Sequence, residues 1–140
     1  MGAMMMTGAV YSATIPANQL EIGGIKYGAT TSDVERICGQ PLRVEKKNKH
    51  GVEKIEYKYY DFEVKFINGK VCEIEVDDHS NARTAAGIGV GSTVSDVERV
   101  YGRADSIHKD KYIYYADNRI GFVFEIKNGY VHEFKCGDVD

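Results

Sequence analysis

The chain has 140 residues and a formal net charge of −3. That is enough for one domain with a real core, and it lacks the basic surplus that would point to nucleic acid. Hydrophobic residues at 43% and charged residues at 28% exclude wholesale disorder.

Residues 1–13 (MGAMMMTGAVYSA) are apolar and rich in small residues, and Pro16 follows. Residues 1–19 read as a secretory leader remnant or a flexible N-terminus, although the basic n-region of a leader is missing. An expression remnant joined to a trimmed leader is the other reading of the same residues. The composition favours an extracytoplasmic protein, of the cell envelope or secreted. No apolar run approaches the length a bilayer needs, so no membrane span is expected.

The chain then repeats itself. Residues 24–39 read GIKYGATTSDVERICG and residues 87–102 read GIGVGSTVSDVERVYG, with ten of 16 positions identical. Further on, Asn68-Gly69-Lys70-Val71 answers Asn128-Gly129-Tyr130-Val131. Two matching segments in the same order point to tandem duplication. The expected organisation is a single domain over 20–138, made of repeat 1 (20–78), a polar linker (DDHSNARTAA, 77–86) and repeat 2 (86–138). Aligned this way, the copies differ by a first loop five residues longer in copy one and a hairpin two residues longer in copy two.

In chain order, each copy opens on a short extended piece (20–27, 86–90). Thr30 and Thr93 stand three residues before Asp33 and Asp96, a capping-box arrangement that satisfies orphan N–H groups at a helix start. Val34, Ile37 and Cys38, like Val97, Val100 and Tyr101, fall at i, i+3 and i+4, which makes a narrow apolar stripe over about two helical turns. Gly39 and Gly102 stop these helices. Period-two runs follow at 55–59, 62–66 and 72–76, then at 113–115, 122–126 and 132–136, with Asn-Gly turns between the last two of each set. The expected fold class is α+β: an α-β-β-β unit in tandem, six main strands, antiparallel, with two short helices on one face.

Alternation sorts the faces. Tyr57, Phe62, Val64, Phe66, Ile74 and Val76 read as inward, as do Tyr115, Phe122, Phe124, Ile126, Phe134 and Cys136. Tyr60, Tyr112, Tyr114, Val123 and Val131 read as outward, together with Val71. Tyrosines among mixed charges on an open sheet are favoured at protein interfaces, so those five are the candidate partner-binding residues. Cross-strand pairing that merely stabilises the sheet is the structural alternative.

The short helix with its Gly-x-Thr/Ser-x-x-Asp-Val pattern, the following Gly39-Gln40-Pro41 and the antiparallel meander resemble two related groups. One is the SmpA/OmlA family of small envelope lipoproteins that support outer-membrane protein assembly. The other is the β-lactamase inhibitor proteins, built from two such units. The resemblance covers residues 20–138 and implies the fold more than the function. No cysteine precedes Cys38 to serve as a lipid anchor, and Ala104 stands at the Pro41 position of copy two.

Catalytic chemistry is thinly represented. Asp33, Glu35, Asp96 and Glu98 are repeated carboxylates, but capping and a solvated helix face account for them. His132, aligned with Cys72, reads as a constrained inward histidine. Residues 77–79 (DDH) lack a calcium-loop pattern. Gly87-Ile-Gly-Val-Gly91 is a turn rather than a phosphate cradle, since no Lys-Ser/Thr follows. Cys38, Cys72 and Cys136 match no zinc spacing. Cys72–Cys136 is the pair to consider for a bridge, and three free thiols are the favoured outcome. No cofactor and no metal are expected.

The expectation is therefore a non-enzymatic extracytoplasmic domain that binds a protein or envelope component through its open sheet face. The alternatives are an enzyme-inhibitor module, or a small hydrolase or ligand-processing domain using His132 and a nearby carboxylate.

Overall fold

A computed structural model describes residues 14–139. The expected leader segment at 1–13 lies outside the described residues. The sequence reading starts the domain at Leu20, but the packed chain already includes Ile15. This side chain is buried in the core, and the Thr14 and Ile15 amides both donate to the Tyr115 carbonyl.

The described chain holds a small hairpin, β1 (Glu21–Ile22) and β2 (Ile25–Lys26), then α1 (Thr31–Cys38). Four strands follow: β3 (Arg43–Lys49), β4 (Val52–Lys58), β5 (Phe62–Ile67) and β6 (Lys70–Val76). The second half is α2 (Val94–Tyr101), β7 (Ser106–His108), β8 (Lys111–Tyr115), β9 (Ile120–Lys127) and β10 (Tyr130–Asp138). One continuous eight-stranded sheet runs in the order β3-β4-β5-β6-β10-β9-β8-β7, with every neighbouring pair antiparallel. Three strands per half were expected, and each half gives four to this sheet. The additional ones, β3 and β7, are the two edges. β3 reads RVEKKNK, with none of the apolar alternation that marks a half-buried strand, and its lysines suit an edge that must not recruit further strands.

Local chemistry forms the helices as expected. Thr30 and Thr93 each accept from the amide three residues on, and Asp33 and Asp96 each reach back to the cap amide. Gly39 and Gly102 end the helices at φ of 79° and 81° with extended ψ, so the chain leaves directly toward the sheet. Val34 and Val97, fully buried, pin the two helices to the core. Both Asn-Gly turns have positive φ at both central residues, as a tight hairpin with right-handed strand twist requires.

Register explains where the face assignment departs from the sequence reading. Tyr57 pairs with Val64 and Tyr112 pairs with Phe124. Val64 and Phe124 lie opposite the core residues Ile74 and Phe134, so Tyr112 is the counterpart of Tyr57, 55 positions on. The five-and-two accounting of loop lengths puts the offset here at 58. A slip of three residues is odd, and an odd slip exchanges the faces of a strand. Tyr112 and Tyr114 therefore point toward the helices, and Tyr114 is completely buried.

A second departure comes from two β-bulges. Lys65 faces Glu73 while Phe66 faces Val71, which leaves Cys72 as the extra residue of β6. In the same way, Glu125 faces Glu133 while Ile126 faces Val131, which leaves His132 as the extra residue of β10. Each bulge restores the inward phase one residue early. Val71 and Val131 consequently sit in the core, not on the outer face. The segment 77–86 is also more than a solvated linker: Thr84 is buried, donor groups of Ile88 and Tyr101 reach its hydroxyl, and it bridges to Ile22.

Candidate functional site

Where the two halves meet, β6 lies beside β10, and Glu73, Glu75 and Lys135 lie on the face turned away from the core. The side chains there form a charged lattice. Lys65 sits 3.4 Å from Glu73 and 3.0 Å from Glu75. Lys135 reaches Glu73 at 3.9 Å, and Lys111 reaches Glu125 at 3.6 Å. Burial opposes the charge on Lys65, but the hydrogen bond its ammonium donates to Glu75 and the surrounding carboxylates outweigh it and raise its pKa. Burial raises Glu73 in turn, against the pull of Lys135.

Beside this lattice the face is concave. A depression of about 410 Å³ is lined by the carboxylates Glu63, Glu75, Asp77, Glu125 and Glu133, against Lys111 and Lys135. Negative charge is therefore in excess where the face is hollow. Asp77 and Glu133 both have raised pKa values, first from burial and then from neighbouring carboxylates. Val123 contributes apolar lining.

At one corner the bulge places His132 near the polar segment that follows β6. Its Nε2 lies 3.7 Å from an Asp78 oxygen, and ligand atoms of Asp78, His132 and Glu133 all fall within 4.8 Å of one another. One imidazole and two carboxylates could hold a divalent cation. The sequence reading places His132 inward. The inserted position at the bulge instead leaves its side chain 31% exposed.

The five candidate partner-binding residues do not come together. Tyr114 is buried beneath α2, and its hydroxyl donates to the Gly102 carbonyl at 2.8 Å. Tyr112 is partly buried against the same core. Val131 is in the core on account of the bulge. Val123 does point to the open face, opposite Lys135, but only 6% of it is exposed among charged neighbours. Tyr60 is exposed, at 79%, but it lies in the β4–β5 turn, edge-on to His79 at 5.3 Å. The charged hollow leaves no mark in the sequence, because alternating Glu and Lys are expected on any solvated strand face. Only the pairing of β6 with β10 gathers them.

All three cysteines are free. Cys136 is buried among apolar groups, which pushes its thiol up to about 12, so it is an inert core residue. No described helix is long and apolar enough to cross a membrane.

No family model matches the chain, and no curated protein matches it. Among solved structures, it is similar to an extracellular protein containing a SCP domain from Bacillus anthracis. That similarity has 9% identity and a TM-score of 0.48, and it covers 98% of this chain and 50% of that one. The chain thus spans half the length of that neighbour.

Proposed function

We propose that this protein is a non-enzymatic extracytoplasmic binding domain whose partner, a protein or envelope component, docks on the open face of the sheet across the β6–β10 join. The supporting observation is the hollow in which five carboxylates outnumber two lysines. Such a surface selects a partner with a basic, protruding segment, because opposite charge steers association and excludes like-charged competitors. We further read the two halves as products of duplication of one helix-and-meander unit, in keeping with the resemblance to the SmpA/OmlA and inhibitor-protein folds. An enzyme-inhibitor role would be one form of this binding.

Pull-down from envelope extract tests the reading. Asp77→Asn combined with Glu133→Gln removes two negative charges without touching the Lys65 lattice. The double variant should bind the recovered partner at least about tenfold more weakly. Wild-type binding should also weaken as the pH falls, starting at a higher pH than unperturbed carboxylates would give, because both pKa values are raised. Undiminished recovery by a folded double variant would remove the hollow as the binding site.

The approach of His132 to Asp78 favours a second reading, a small hydrolase with the imidazole as base. It requires measurable turnover of a chromogenic ester by the wild-type chain and its loss in His132→Ala. Equal rates in the two proteins would dismiss it.

A further inference from the structure

The ends of the two helices differ in one respect that changes the shape beneath them. Cys38 is the last residue of α1 and Tyr101 the last of α2. Each precedes a capping glycine whose carbonyl accepts from a tyrosine, Tyr59 for Gly39 and Tyr114 for Gly102, both at 2.8 Å. The strand partners also correspond, since Phe62 faces Val76 and Phe122 faces Cys136. Under α2, the Tyr101 ring fills the space in front of this pair, with ring centres 5.5 Å from both Tyr114 and Phe122. Its hydroxyl donates to Thr84 at 2.8 Å.

Under α1 there is only the Cys38 thiol. A cavity of about 300 Å³ remains, lined among others by Ile37, Cys38, Tyr59, Asp61, Phe62 and Asn81. Tyr59 and Phe62 stack within it at 4.7 Å between ring centres. The volume is at the lower end of small-molecule sites, roughly 300–1,000 Å³. Aromatic walls, with a carboxylate and an amide among the lining groups, match a ring that carries one hydroxyl.

We propose that this cavity is a binding site for a small single-ring phenol, which takes under α1 the place that the Tyr101 side chain takes under α2. The site lies on the helix side of the sheet and is independent of the charged hollow. The ring packs against Tyr59 and Phe62, in the offset or edge-on arrangements aromatic pairs prefer, and its hydroxyl is offered Asp61 as acceptor.

The probe is p-cresol, the tyrosine side chain as a free molecule, titrated into the full chain and followed by amide NMR. Saturable shifts at Cys38 and Phe62 are expected, with a Kd on the order of 1 mM for so small a ligand. Cys38→Tyr supplies the ring covalently. It should weaken p-cresol binding at least about tenfold and raise Tm in the absence of ligand, whereas Cys38→Ser should bind like the wild type. If Cys38→Tyr fails to fold, iodoacetamide labelling of the wild-type chain decides the matter. Saturating p-cresol should slow modification of Cys38 and leave Cys72 unaffected. Absence of saturable binding, undiminished affinity in a folded Cys38→Tyr protein, or unprotected Cys38 would each overturn the site.

Discussion

Tyr114 and Tyr60 show how differently one residue type can be used. The Tyr114 hydroxyl closes the end of α2 by donating to the Gly102 carbonyl from a fully buried position, so Tyr114→Phe should cost about 1 kcal/mol in urea denaturation, the usual net worth of such a bond. Tyr60 is 79% exposed, and Tyr60→Ala should stay within about 0.5 kcal/mol of the wild type. The reverse order of these two values would show that the register derived for β8 is wrong. The cap aspartates carry a pH dependence. Hydrogen bonds from the Thr30 and Thr93 backbone amides hold Asp33 and Asp96 below the ordinary value of 3.8. A depressed folded pKa means stability that is present above 3.8 and lost as pH falls through the lower folded values. Replacing both with Asn should therefore flatten the decline in Tm between about pH 5 and pH 2. An unchanged slope would place the acid sensitivity elsewhere.

At the scale of elements, the critical contact is the pairing of β6 with β10, the one adjacency that joins strands from opposite halves. Gly137 sits at φ 128°, and a Cβ there would lie 2.2 Å from the Cys72 carbonyl oxygen. The backbones approach too closely at this point for any side chain. Gly137→Ala combines a strained φ with that overlap and should destabilise by more than about 1 kcal/mol. It should also disturb amide signals along both strands. A variant as stable as the wild type would mean that the join is looser than the register implies. The bulges at Cys72 and His132 act on the same elements: each brings a valine into the core and, in β10, sends a histidine toward Asp78.

For the whole molecule, one sheet and one core cluster run through both halves. Unfolding in urea should accordingly be a single transition by far-ultraviolet dichroism and by tyrosine fluorescence. Two separated transitions would show that the halves are energetically independent. The chain's own order of residues determined the capped helices, the Asn-Gly hairpins, the antiparallel α+β class and most of the inward positions. Those depend on interactions between residues close in sequence, or on a period of two that needs no knowledge of the neighbouring strand. The edge strands were illegible because β3 carries a single apolar residue, Val44, and β7 is three residues long, too short for an alternation to show. The orientation of Tyr112 and Tyr114 depends on which residue of β9 lies opposite, and the placement of Val71 and Val131 depends on where a bulge is inserted. Neither is encoded within one strand. The acidic hollow, the meeting of His132 with Asp78 and the cavity beside Cys38 are likewise products of tertiary structure. Each is made of residues that are unremarkable alone, brought together only when β6 finds β10 and each helix settles on the sheet.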